Sequence, residues 1–203
     1  MIRVPGYTNG GVVEDPVELV DTYATIADLA AGADARGDEG LDSRSLAKVV
    51  LDPSSPVPGP LPGQPAVAFS VYPRCENASI GADSQNVPGE PSMAVLAAIL
   101  PPGTPVGYNN PCIEVPREQF THMGLTVRTR DFRYTEYRHW DGAALAPRFK
   151  VDPATAQLYD HRLDEGTSFD DNGEQSNVIG DPAFKSTVAQ LQGLLRQKFD
   201  QGV

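Results

Sequence analysis

Apolar positions in this chain recur with two periods, and each change of period marks an element. Leu19, Tyr23, Ile26 and Ala30 recur at helical spacing. Ahead of them Asp15, with Pro16 at the first helical position and Glu18 three residues on, forms a capping-box arrangement, and Gly32 supplies the stop. A helix over 16–31 is predicted. Further on, Leu125, Val127 and Thr129 alternate with Thr126, Arg128 and Arg130. Tyr134, Glu136 and Arg138 likewise alternate with Arg133, Thr135, Tyr137 and His139. The period of two predicts strands over 125–130 and 133–140 joined by a tight turn at Asp131-Phe132. Ala66 to Tyr72 reads as a buried strand ending at Pro73, Gln157 to Asp160 as a short further strand, and Ile2 to Val4 as the tail of a strand stopped by Pro5-Gly6. Asp181 caps a last helix with Pro182 at its first position and an apolar stripe of Phe184, Val188, Leu191 and Leu195. That stripe and the alternating hairpin each supply the apolar face the other needs, so an antiparallel sheet around 125–140 covered by the 181–199 helix is the expected core.

Proline divides the chain. Six prolines in the thirteen residues from Pro53 to Pro65 predict an extended connector. Residues 76–121 read as a long surface excursion with one short helix at 91–100. The fold class is α/β, more narrowly an α+β arrangement, in a chain of 203 residues. Apolar content of 40% and charged content of 21% are those of a globular protein. No run reaches the eighteen apolar residues of a membrane span, and MIRVPGYTNG has no apolar core of a signal peptide.

A formal net charge of −11 argues against a nucleic-acid or anionic-membrane partner. One segment has the opposite sign: between Arg117 and Lys150 seven basic residues stand against four acidic ones. Two readings of it stand, a solvated strand face with cross-strand ion pairs and a contact surface for an anionic ligand. Cys75 and Cys112 are the two cysteines, and His122, His139 and His161 show no ligand spacing with them. A single disulfide and two unpaired thiols are both open. Asn77-Ala78-Ser79 matches a glycosylation acceptor.

Four stretches, in this order, resemble the last third of a sulfatase. Val4-Pro5-Gly6 followed by Val17-Glu18-Leu19-Val20-Asp21 and Ile26-Ala27-Asp28-Leu29-Ala30 is similar to a strand and helix of that family, with alanine at Ala24 where proline is usual. Ser70-Val71-Tyr72-Pro73-Arg74 resembles the Ser-Gln-Tyr-Pro-Arg of iduronate-2-sulfatases. The run from Met123 to Thr135, MGLTVRTRDFRYT, resembles the hairpin of the same group. Gln157 to Arg162, then Glu174 and Asn177 before the last helix, are similar to the ending of sulfatases generally.

The resemblance implies an organisation. Residues 1–51 correspond to the end of the N-terminal sulfatase domain, 52–65 to a connector, and 66–203 to the C-terminal subdomain with an insertion at about 76–121. It also implies sulfate-ester hydrolysis by a formylglycine made from Cys or Ser in a Cys/Ser-x-Pro/Ala-x-Arg motif, with calcium held by Asp and Asn side chains. Cys75 is followed by Glu-Asn-Ala-Ser and Cys112 by Ile-Glu-Val-Pro, so neither fits. In the family the nucleophile, metal ligands and basic catalytic residues precede the Val-Pro-Gly strand, so Met1 reads as an internal methionine. The chain is expected to bind neither catalytic cofactor itself and to be inactive alone. Without the N-terminal sulfatase domain, its expected partner, the 16–31 stripe and the opening strand would be left wet. Burial of Leu19, Tyr23 and Ile26 would contribute about 1.5–3 kcal/mol for each side chain.

Within that resemblance Arg74 and Arg128 are the candidates for binding an anionic sulfated sugar, because planar guanidinium groups suit carboxylate and sulfate. Tyr72 and His122 stand beside them as candidates. The competing roles are arginine locks between subdomains, a core tyrosine and a loop histidine. Three functional readings follow: a wall of a sulfatase pocket, a standalone module that binds sulfated or uronate-bearing glycans, and one subunit of a split sulfatase.

Overall fold

The computed structural model describes residues 2–6, 10–32, 41–60, 63–74, 116–164, 174 and 176–200. The helices are α1 (Asp21–Ala31), α2 (Ala47–Leu51) and α3 (Lys185–Phe199), the last preceded by a 3-10 turn at Pro182–Phe184. The strands are β1 (Ala68–Arg74), β2 (His122–Arg128), β3 (Phe132–Asp141), β4 (Ala146–Pro147) and β5 (Thr155–Asp160). They form one sheet in the order β1-β2-β3-β4, with β5 also paired to β3. The fold is α+β. The described residues form two compact units, one within Met1–Ser70, Thr126–Thr135 and Ala156–Lys198, the other within Val71–Leu125, Glu136–Thr155 and Phe199–Val203.

In the first unit, α1 starts at Asp21 rather than at 16, and Val20 at its N-cap makes no side-chain cap bond. The capping box does not form because Glu18 is used elsewhere: its Oε1 accepts from the Phe69 N–H at 2.9 Å. Asp21 is 1% exposed and becomes the organising acid instead. It accepts from the Arg44 Nε at 3.0 Å and from the Arg44 and Glu18 backbone N–H groups at 3.1 and 3.2 Å. Thr25 Oγ1 accepts from the Leu46 N–H and donates to the Asp21 carbonyl. Gly32 ends the helix as expected, at φ 85° with its N–H on the Asp28 carbonyl.

The face of α1 that turns inward is therefore the polar one. Asp21, Ala24 and Thr25 are buried, while Leu19, Tyr23 and Ile26 are 93%, 57% and 60% exposed. Ile2–Val4 carry no strand. The 53–65 connector is not a free spacer, because Val57 folds back onto Leu46, at the N-cap of α2, and Val49 within it, with Val50 and Ala66 beside them.

The last helix meets the expectation. Asp181 accepts from the Ala183 N–H at 2.8 Å with Pro182 in the first turn, and Leu191, Leu194 and Leu195 are buried. Phe184 meets Phe132 edge-on with ring centres 5.9 Å apart. Gln192 Nε2 donates to the hydroxyl of the buried Tyr134 at 3.0 Å, which docks α3 on the turn end of the hairpin. The turn itself lies at Arg130-Asp131, one residue earlier than the alternation suggests. The Thr129 N–H reaches the Phe132 carbonyl, and Thr129 Oγ1 accepts from the Phe132 N–H at 3.0 Å.

In the second unit, β1 runs through Pro73 to Arg74 and is largely exposed, not buried. It is the edge strand of the sheet, where proline removes no ladder donor that a neighbour needs. Its middle carries Val71 at 55% and Tyr72 at 44% exposure. Gly142 is required where the chain after β3 passes the 117–119 turn, since a Cβ there would lie 1.8 Å from the Glu118 carbonyl oxygen. Trp140 Nε1 donates to the Arg117 carbonyl at the same crossing. Cys75, Cys112, the glycosylation triplet and the short helix expected at 91–100 lie outside the described residues. No described helix is long and apolar enough to cross a membrane.

Candidate functional site

Period-two alternation places Tyr72 and Arg74 on one face of β1, His122 and Gly124 on one face of β2, and Tyr137 and His139 on one face of β3. Gly124 is the gap in that surface. A Cβ there would lie 3.1 Å from Tyr137 Cε1 and 3.2 Å from the Tyr72 carbonyl oxygen, so the missing side chain makes room for the Tyr137 ring. Tyr137 thereby reaches Arg74. The Arg74 guanidinium carbon lies 5.1 Å from the Tyr72 ring centre and 5.4 Å from that of Tyr137. Its Nη2 faces the Tyr137 hydroxyl at 3.4 Å.

Two rings thus fix the plane of an exposed guanidinium, an attraction worth about 0.5–1 kcal/mol at exposed sites. The hydrogen bond to Tyr137 raises the Arg74 pKa above its ordinary value, against a smaller opposing effect of burial. Among the described residues Arg74 has no ion pair. Its charge is therefore not cancelled by a described carboxylate. The Arg74 carbonyl accepts from Thr121 Oγ1 at 3.1 Å, and the same Oγ1 lies 3.1 Å from His122 Nδ1. The His122 ring centre is 4.6 Å from that of His139.

Three of the four sequence candidates, Tyr72, Arg74 and His122, therefore share one exposed patch of the second unit. His122 stands on β2 and Tyr72 on an exposed edge, so neither is the loop histidine or core tyrosine of the competing roles. Thr121, Tyr137 and His139 join them and were not singled out from sequence. The strand alternation had already placed Tyr137 and His139 on one face, but nothing in it pointed to Gly124 as the opening that lets Tyr137 reach Arg74.

Arg128 belongs to the first unit and has a different environment. Burial lowers its pKa, Asp164 and Glu174 act against that shift, Arg133 adds to it, and Asp131 opposes it. Its Nη1 is buried without a hydrogen-bond partner among the described residues. Nearby, Arg133 pairs with Glu174 at 2.6 Å, and His161 lies between Asp164 and Glu174 at 2.5 and 3.4 Å. Glu174, one of the acids that act on Arg128, is the ion-pair partner of Arg133.

In the basic segment four of the arginines are engaged by carboxylates. Arg130 pairs with Glu14, Arg133 with Glu174, Arg138 with Glu136 and Arg148 with Asp141. Arg133 and Arg138 stand on β3, Arg130 in the turn before it and Arg148 just after β4. No group of three or more His, Cys, Asp or Glu among the described residues is arranged to hold a metal ion. No family model matches the chain, and no curated protein matches it.

Proposed function

We propose that this chain is the C-terminal portion of a sulfatase of the iduronate-2-sulfatase type, forms part of the wall of its substrate pocket, and is inactive alone. The observation that carries the pocket role is Arg74: an exposed guanidinium, oriented by Tyr72 and Tyr137, with no described carboxylate to neutralise it. Such a group presents its remaining N–H donors to a carboxylate or sulfate of a sugar in a planar fork. The resemblance of Ser70-Val71-Tyr72-Pro73-Arg74 to the family element coincides with this residue. The need for a partner is supported by Tyr23 and Ile26 of α1 and by Leu19 in the turn before it, which face solvent. Grooves of about 680 and 440 Å³ that share Ile2 and Arg3 lie beside it, one reaching Leu46 and Val49 and the other Thr22 and Ile26.

In this reading the chain supplies binding and orientation, while formylglycine and calcium belong to the catalytic portion. The test joins the chain to a catalytically competent N-terminal sulfatase portion and replaces Arg74. Arg74→Ala raises KM for a sulfated uronate at least tenfold, and Arg74→Lys restores little, since lysine keeps the charge but loses the fork. Unchanged KM in both variants contradicts the assignment.

A further inference from the structure

The Tyr137 hydroxyl holds a donor that its contact with Arg74 leaves unused. In the 3.4 Å approach of Arg74 Nη2 to the phenolic oxygen, the guanidinium has only N–H donors to offer, so the phenol accepts. A phenol carries one proton besides its lone pairs, and that proton goes to no acceptor among the described residues. The contact is exposed, and it is longer than the usual limit of about 3.2 Å for an N–H···O bond. The two groups therefore stand side by side at the surface, each with a proton to give.

The 3.4 Å separation lies between the two donor atoms themselves, so it bears directly on what they can hold together. An oxygen about 2.8 Å from each closes a triangle on that base, and two oxygens of one carboxylate or sulfate also span it. The surroundings favour an anion. Arg74 has no ion pair among the described residues, and its guanidinium lies over the Tyr72 and Tyr137 rings rather than against an acid. Gly124 admits the ring that carries the hydroxyl, because a Cβ there would lie 3.1 Å from Tyr137 Cε1. Thr121 Oγ1 donates to the Arg74 carbonyl at 3.1 Å, which ties down the end of β1 without using a guanidinium donor.

We propose that Tyr137 is a second anion-binding residue beside Arg74, donating its phenolic proton to the oxyanion that the guanidinium holds. The ligand class is an oxyanion borne on a sugar, either a carboxylate or a sulfate ester. A neutral hydroxyl of the same sugar meets both donors with no negative charge of its own and binds far more weakly. The inference rests on the assignment of Arg74 to anion binding. It moves Tyr137 from support of the arginine to direct contact with the ligand.

The test is titration of the full chain with glucuronate, a glucose sulfate and glucose, followed by nuclear magnetic resonance through the backbone amides of β1, β2 and β3. The expected result is a saturable response to one or both of the charged sugars and none to glucose, and the sugar bound more tightly names the oxyanion. Arg74→Ala abolishes the response. Tyr137→Phe keeps the ring over the guanidinium and weakens binding about fivefold, and circular dichroism confirms that each variant is folded. A fluorotyrosine in place of Tyr137 separates direct contact from support, because fluorine makes the phenol a stronger donor and a weaker acceptor. Tighter binding with the fluorotyrosine is the predicted sign. Weaker binding with it, or unchanged affinity in Tyr137→Phe while Arg74→Ala abolishes the response, overturns the role of Tyr137 and leaves that of Arg74 standing. Unchanged affinity in Arg74→Ala, or no response to either charged sugar, overturns both.

Discussion

Arg138 and Glu136, two residues apart on β3 and each 1% exposed, form an ion pair on the buried face of the strand. The arginine also donates through Nη1 to the Val151 carbonyl at 2.6 Å, and its guanidinium lies 4.9 Å from the Phe149 ring centre. A charged pair thus occupies strand positions where period-two alternation would place apolar side chains.

Breaking that pair leaves a carboxylate in a low-dielectric setting. Arg138→Ala is expected to cost about 3–5 kcal/mol, whereas the double variant Glu136→Leu/Arg138→Met recovers much of the loss. Urea unfolding of the two variants measures the difference. Equal stabilities would mean that Glu136 does not depend on Arg138.

The contrast with Arg74 is direct, because Arg74 is exposed and its described contacts are two tyrosine rings and one hydroxyl. Arg74→Ala is expected to change folding stability by less than about 0.5 kcal/mol. A thermal melt checks this, and a large loss would make Arg74 a structural lock rather than a binding group.

The exposed stripe of α1 gives a third expectation. Leu19→Ser and Ile26→Ser together leave the melting temperature of the isolated chain unchanged, since both side chains are already mostly in water. The same pair of changes prevents productive assembly with a catalytic N-terminal portion, as read by sulfate release. A marked loss of stability in the isolated chain would show that the stripe packs inward.

How much of this was legible in the sequence follows from which forces are local. The hairpin, the cap at Asp181 and the final helix stripe are set by neighbours within a few residues; the cap and stripe form where the pattern placed them, and the hairpin forms with its first strand running earlier, over His122–Arg128, and its turn one residue earlier. The α1 start was displaced because Glu18 and Asp21 answer to Phe69 and Arg44, distant partners that helical spacing does not encode. Val57 was hidden for a similar reason, being one apolar residue inside a proline-rich run. At the candidate site Arg74, Tyr72 and His122 were visible as residue types. The contribution of Tyr137 depended on strand register and on the absent side chain of Gly124.

Acid sensitivity is expected at Asp160. Its carboxylate receives Arg162 Nε at 2.9 Å, Nη2 at 2.6 Å and the Arg162 backbone N–H at 3.1 Å, and the same guanidinium covers Phe132 and Phe184. The arginine hydrogen bond, aided by the backbone bond and the neighbouring charges, lowers the Asp160 pKa against the opposing effect of burial. A carboxyl depressed in the folded state stabilises fully above its unfolded value of about 3.9 and loses that contribution as pH falls through the lower folded value. The stability gap between the unaltered chain and Asp160→Asn is therefore constant from pH 7 to 5 and closes below about 3.9. Urea unfolding at pH 7, 5 and 3 checks the sign, and a gap that widens on acidification would reverse it.

Sulfate release from a sulfated uronate disaccharide in the presence of calcium tests the central claim. The chain alone is expected to release none. A catalytic N-terminal sulfatase portion alone is expected to release little, and the two together are expected to turn the substrate over at least tenfold faster than either. Turnover by the isolated chain that survives repurification, or a mixture no faster than the N-terminal portion by itself, would contradict the account.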